Sequence, residues 1–181
     1  MLRDTRLVGG TALALQLGHR NSVDLDFFGV IDKTMEQIVD ELEANGFDVD
    51  PGLRSKTIKI LVIDGVKVDI VGGHSEWLYP PIETEGVRMA SLQDIAAMKL
   101  HAITGRGKKK DFIDFYFLLQ HFSLKQMIEF YQKKYPQNSL FMVIRSLSYF
   151  NDAEPDSMPT MFIDVSWEDV KSKIRNEIEN F

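Results

Sequence analysis

Asp24 and Asp26 stand in the run Val23-Asp24-Leu25-Asp26-Phe27-Phe28, where acidic and apolar residues alternate. That alternation has the period of a strand, so both carboxylates are expected on one face. A third carboxylate, Asp69, interrupts the otherwise apolar strand pattern Val66 to Val71. Hard cations select anionic oxygen ligands, and three carboxylates on neighbouring strands suit a pair of Mg²⁺ ions about 3.5 to 4 Å apart. Mg²⁺ leaves much of its coordination to water and substrate oxygens, so the set points to a phosphate-bearing substrate such as a nucleoside triphosphate. Upstream, Gly9-Gly10-Thr11 opens a run of helix formers. The two glycines allow a close backbone approach to phosphates at a helix N-terminus, and the Thr11 hydroxyl can donate to one. Alone, Gly-Gly before a helix reads most simply as a turn, and Asp-x-Asp as a solvated strand face. In this order, and followed by Asp69, they make a coherent candidate site in which Asp24, Asp26 and Asp69 are the expected metal ligands.

Further groups fall around this set. Lys99 lies inside an apolar helical stripe, where its ammonium needs either a bound phosphate or a buried carboxylate such as Asp111. Asp111 shares a helix face with Phe115 and Leu118, and is expected either to touch substrate or to orient Lys99 or Arg106. The basic run Arg106-Gly107-Lys108-Lys109-Lys110 offers a triphosphate or an RNA backbone its densest local positive charge, with a solvated loop as the simpler reading. Arg20 is placed to contact phosphate or to cap the preceding helix. His19, His74, His101 and His121 have no metal-ligand spacing and default to structural or surface roles.

The elements that must hold these residues are legible in outline. Arg6-Leu7-Val8 reads as a strand, Gly9-Gly10 as a tight turn, and Thr11 to Leu17 as a helix closed by Gly18. Asp32 or Thr34 caps a helix with the stripe Met35, Ile38, Val39 and Leu42, stopped at Asn45-Gly46. Thr57 to Ile63 and Val66 to Val71 flank Asp64-Gly65, the dipeptide of a type I′ hairpin, and this register sets Asp69 opposite Ile60. Beyond Ser91, which has capping-box spacing to Asp94, the pattern is helical, with Leu92, Ile95, Ala96, Leu100, Ala102 and Ile103 on one side. A nearly all-apolar helix is expected over 111–120, and further helices near 124–135, 139–150 and 167–179.

Composition restricts the alternatives. The chain has 181 residues, 44% of them hydrophobic and 27% charged, enough for a sizeable core and unlike a disordered segment. It has no cysteine, which excludes disulfides, iron–sulfur clusters and thiol nucleophiles and suits a reducing cytoplasm. No apolar run approaches the ~20 residues of a membrane span. The net charge of -6 is a poor basis for nonspecific nucleic-acid binding. The imbalance is confined to residues 1–90, with 9 basic against 15 acidic side chains, while residues 91–181 carry 12 of each.

Val8-Gly9-Gly10, then Asp24-Leu25-Asp26-Phe27, then Val68-Asp69-Ile70 is similar to the signature of DNA polymerase beta type nucleotidyltransferases. More narrowly, Gly9 to Leu15, His19 to Phe28 and Lys110 to Tyr116 resemble the AbiEii/AbiGii toxin family, and the likeness continues to Ser166-Trp167-Glu168-Asp169-Val170-Lys171. The resemblance implies an α+β fold, a nucleotidyltransferase-type mixed β-sheet core with flanking helices and a C-terminal helical bundle. Residues 1–90 would form the catalytic core and residues 91–181 a helical region completing the active-site cleft. It also implies an Mg²⁺-dependent enzyme, using two ions, that moves an NMP from an NTP to an acceptor hydroxyl. The acceptor would be RNA such as a tRNA end, and an antitoxin would be encoded nearby. In the family two aspartates bind metal and a later lysine and aspartate are also needed, positions that look like Asp24, Asp26, Lys99 and Asp111. On this reading Gly9, Gly10, Thr11, Arg20, Lys99, Arg106 and Lys110 contact the nucleotide, and Asp69 completes the metal site and helps activate the acceptor hydroxyl. Family members usually carry helical sequence ahead of the Gly-Gly strand, which this sequence reaches within its first residues. That departure leads one to expect a weakened fold or substrate site, or a truncated start. A small-molecule or protein acceptor, of the aminoglycoside type for instance, is chemically equivalent at the metals, and a module that binds nucleotide or partner without turnover is the rival of another class.

Overall fold

The computed structural model describes residues 5–73 and 76–181; the first four residues and His74 lie outside them. The described residues open with strand β1 (Thr5–Val8), which runs directly into helix α1 (Gly9–Leu17). Gly9 and Gly10 are therefore the first turn of the helix itself rather than a separate turn before it. Gly9 takes φ of 71°, a left-handed value, and so makes the bend from strand to helix. At the other end Gly18, also left-handed, returns its N–H to Ala14.

Strand β2 (Leu25–Gly29) lies antiparallel to β1. Helix α2 (Met35–Ala44) is capped by Thr34, whose hydroxyl accepts from Gln37 N–H while the Gln37 side chain accepts from Thr34 N–H. Strands β3 (Val49–Arg54), β4 (Ile58–Ile63) and β5 (Val66–Gly72) follow, and β4 and β5 form the hairpin read from Asp64-Gly65. Both turn residues have positive φ, 48° and 79°, and Ile60 sits opposite Asp69 as the turn requires. A second hairpin, β6 (Ile82–Thr84) with β7 (Val87–Met89), turns at Glu85-Gly86. It and β3 were not read from the sequence. The Glu-Gly turn was the available signal, but three-residue strands are too short to show a period.

The strands make one mixed sheet in the order β3-β4-β5-β2-β1-β7-β6, with β2–β5 and β1–β7 parallel. Helix α2 covers one face, burying Met35 and Ile38 against Leu61, Val68 and Ile70. The rest of the chain is helical: α3 (Leu92–Gly105), α4 (Lys109–Leu118), α5 (Leu124–Lys134), α6 (Leu140–Leu147) and α7 (Trp167–Glu179). The helix expected over 139–150 stops at Leu147 and gives way to a 3₁₀ turn at Asn151–Ala153. The main core runs from Leu7, Val8, Ala12 and Leu13 into Ile95, Leu100, Phe112, Phe115 and Ile174.

Ser91 caps α3 by accepting from Asp94 N–H, but the reciprocal half of the expected capping box is not made, and the Asp94 side chain turns to other partners. Fully buried, it accepts from Ser91 Oγ, from Leu78 and Tyr79 N–H and from Lys134 Nζ at 2.8 Å. It thereby ties the start of α3 to the loop before β6 and to the end of α5.

Candidate active site

The parallel register of β2 and β5 sets Asp26 directly beside Asp69. Both are half-buried, and Asp69 Oδ1 is a buried oxygen with no protein partner. Burial, reinforced by the charge of Asp69 alongside, holds the Asp26 carboxyl above its ordinary pKa. Two carboxylates so placed, with an orphaned acceptor oxygen between strands, have the chemistry of a hard-cation site. Asp24, just ahead of β2, is exposed. Among the described residues, no three histidine or carboxylate side chains are gathered closely enough to form a ready-made metal cage. Of the three expected metal ligands, the fold thus pairs two and leaves the third at the surface beside them.

The glycines and Thr11 serve this arrangement from within. A Cβ on Gly9 would sit 2.6 Å from Asp26 Oδ2, and one on Gly10 would sit 2.4 Å from an Arg20 guanidinium nitrogen. Either contact is impossible without displacing the group it meets. The Thr11 hydroxyl is hydrogen-bonded to the backbone carbonyl of Asp24 and lies 2.9 Å from Ser22 Oγ. It positions the segment that carries the aspartates, a role not foreseen for it.

Opposite the carboxylate pair lies a cationic wall built on α3 and α4. Lys99 is almost wholly buried, with Nζ 3.0 Å from Asp111 Oδ1 and 2.5 Å from Asp114 Oδ2. Burial alone would lower its pKa, but the two carboxylates outweigh it and raise it. Arg106 donates to both oxygens of Asp111, at 2.9 and 3.2 Å. Arg20 grips both oxygens of Asp114 at 2.7 and 2.8 Å, and His19 Nε2 lies 2.8 Å from Oδ1. Both aspartates are fully buried, and each is held below its ordinary pKa, against the effect of burial, by these neighbours, Lys99 foremost. Leaving His19 aside, three cations share two carboxylates, an excess of one positive charge.

Asp26, Lys99 and Arg106 line the same pocket of about 360 Å³, together with Gly9, Phe28, Met98, His101 and Tyr135. His101 and Tyr135 stack at 4.6 Å between centroids, and burial pushes the Tyr135 hydroxyl up to about 12. The lining therefore combines charged with aromatic and apolar groups, a composition suited to a phosphate-bearing ring compound.

The structure thus brings Gly9, Asp26, Lys99 and Arg106 to one cleft, with Asp69 at the side of Asp26. Gly10, Thr11, Arg20 and Asp111 lie one step behind, and Lys110 is exposed on the first turn of α4, away from the lining. Sequence reasoning missed Asp114, the hub of the cation cluster, and gave His19 a structural or surface role without its partner, Asp114. The signal for Asp114 was its spacing of three from Asp111 on an otherwise apolar helix.

The model of the family described as nucleotidyl transferase AbiEii toxin, type IV toxin–antitoxin system, matches residues 3–180. The chain belongs to this family. It is a nucleotidyltransferase with the family's mixed sheet. A protein of Aquifex aeolicus (strain VF5) of uncharacterised function is 34% identical over 190 residues, covering 98% of this chain and 89% of the relative. Among solved structures, JHP933 from Helicobacter pylori superposes with a TM-score of 0.64 at 18% identity, covering 98% of this chain and 83% of that one. MenT4, a nucleotidyltransferase toxin from Mycobacterium tuberculosis, does so at 0.65 and 15% identity, covering 98% and 76%. At such identities these two likenesses establish a shared fold with this AbiEii family member.

Proposed function

We propose that this AbiEii family enzyme transfers an NMP from a nucleoside triphosphate to a hydroxyl of RNA, such as a tRNA end, with Mg²⁺ held by Asp26, Asp69 and Asp24. In the reaction a bond forms between the acceptor oxygen and the α-phosphorus, the bond to pyrophosphate breaks, and the acceptor proton passes to a carboxylate. Asp69, whose Oδ1 lacks a protein partner, is the group suited to take it. The bound cation would neutralise the triphosphate and stabilise the charge that develops on transfer. Lys99 and Arg106 face the phosphates from the opposite wall, each with N–H donors left after binding the aspartates behind. Tyr135 and His101 offer the base a stacked aromatic surface. A toxin of this type is expected to act in the cytoplasm, beside its NTP supply, and to be silenced by an antitoxin.

The observation that carries this reading is the pairing of Asp26 with Asp69 in register, with Asp26 lining one pocket together with Lys99 and Arg106. Its test is incubation of the purified protein with each α-labelled NTP, Mg²⁺ and total cellular RNA, beside Asp24→Ala and Asp26→Ala variants. Label is expected in a discrete RNA band with the intact aspartates only. Label in protein or in a small-molecule fraction would replace the acceptor and keep the chemistry. Binding of NTP without transfer to any fraction would replace the enzyme by a binding module.

A further inference from the structure

Lys67 occupies an unusual position against the carboxylates. Lys67 lies just ahead of Val68 on β5, as Asp24 lies just ahead of Leu25, the partner of Val68, at the start of β2. Its Nζ lies 2.5 Å from Asp69 Oδ2, and the charges of Asp69, Asp26 and Asp24 all act on it. Unlike Lys99, which is enclosed between two aspartates, Lys67 has a side chain 47% exposed on a flexible four-carbon stem. Exposed ion pairs of this kind are weak, and an ammonium on such a stem readily changes partner.

We propose that Lys67 is a displaceable counter-ion of the carboxylate cluster: it holds Asp69 in the cation-free protein, yields that oxygen to an entering divalent cation, and turns to the phosphates of the triphosphate. This deepens the functional reading above and rests on it. Asp69 has two oxygens. One is buried without a partner and the other is taken by Lys67, so the carboxylate cannot use both for a cation while the ammonium stays. A divalent cation brings twice the charge to the same oxygens. Once it is bound, the negative charge that drew Lys67 inward is neutralised, and the triphosphate oxygens at the same edge become its strongest available partner. Lys67 would thus weaken cation binding and strengthen triphosphate binding, two effects of opposite sign from one side chain. A residue that merely braces β5 would produce neither.

The test uses the full chain in three forms, wild type, Lys67→Met and Lys67→Arg, at low ionic strength. Mn²⁺ binding to the metal-free protein is followed by the electron paramagnetic resonance of free Mn²⁺. Binding of a non-transferable NTP analogue is then measured at saturating Mn²⁺. Lys67→Met is expected to bind Mn²⁺ about three- to fivefold more tightly and the analogue about three- to fivefold more weakly, the scale of one exposed ion pair. Lys67→Arg should stay close to wild type in both. Mn²⁺ binding that Lys67→Met does not tighten, or analogue binding it does not weaken, overturns the inference while leaving the functional reading in place. Wild-type protein that binds no Mn²⁺ overturns both.

Discussion

At the scale of single residues, the Gly-Gly pair has a reason that can be tested apart from any ligand. Gly9 needs its left-handed φ, and its missing Cβ leaves room for Asp26 Oδ2. Gly9→Ala should therefore cost about 1–2 kcal/mol of backbone strain and also push the Asp26 carboxylate from its place, lowering transfer by about 100-fold or more. Gly18→Ala is the control. That site is left-handed too, but nothing lies within 4 Å of the added carbon, so stability should fall by a similar amount while the rate in the folded protein is kept. Urea unfolding and initial rates, measured on both variants, separate the two effects; equal rate losses would contradict the assigned role of Gly9. Asp26 itself titrates above an ordinary aspartate because it is half-buried and beside Asp69. The raised value means that the ionised form is less favourable in the folded protein than in the unfolded chain, so its contribution to stability declines as pH rises through that range. Cation binding needs the ionised form, and should weaken on acidification already above the ordinary aspartate value of about 3.9. Carboxyl carbon NMR of the metal-free protein reads the midpoint directly, and a value at or below 3.9 would refute the effect.

Among the elements, α4 carries the largest electrostatic burden. Asp111 and Asp114 lie one turn apart on its buried face and between them hold Lys99, Arg106, Arg20 and His19. Asp114→Asn would leave Lys99 and Arg20 buried with less than their counter-charge, and the expected loss is about 3–5 kcal/mol, read from the urea midpoint. A loss below about 1 kcal/mol would mean that the cluster is solvated rather than buried. The depressed pKa of both aspartates makes their contribution present above the unfolded carboxylate range and lost as pH falls below it. This element also marks where the sequence stopped being readable. Strands and helices with a clear period or turn were legible: the β4–β5 hairpin with Ile60 opposite Asp69, the Thr34 cap, and the Ser91 start of α3. The role of Lys99 stayed open between phosphate and carboxylate because periodicity reports which face a residue takes, not what waits there. Asp114 and His19 meet over 95 positions of chain, and no local pattern encodes such a contact. The same limit hid the role of Thr11, whose partner is the backbone carbonyl of Asp24, 13 positions along the chain, rather than a neighbour in its own helix.

For the molecule as a whole, the sequence suggests a catalytic sheet followed by a helical part, yet the packing joins them. Leu7, Val8, Ala12 and Leu13 from the first part share one core with Ile95, Leu100, Phe112 and Ile174 from the second. Arg20 and Asp114 cross the same boundary inside the protein, as do the Asp94 bonds to Leu78 and Tyr79 N–H. Separating the parts would expose that core and leave buried charges unpaired, so residues 1–90 and 91–181 are expected to unfold together. The two tryptophans make this measurable. Trp77 lies against the shared core with Arg6 and Lys134 over its ring, and Trp167 packs edge-on to Phe112 and Phe150 at the start of α7. Trp77→Phe leaves Trp167 as the sole reporter of the helical part, and Trp167→Phe leaves Trp77 as the sole reporter of the sheet side. In each variant the fluorescence transition in urea should coincide with the loss of far-ultraviolet circular dichroism, the signature of a single cooperative unit. If either tryptophan changed at a urea concentration where the circular dichroism was still native, the two parts would be separable domains. The cleft between them would then be an interface free to open, and the fixed distance between the Asp26–Asp69 pair and the Lys99–Arg106 wall could no longer be the basis of catalysis.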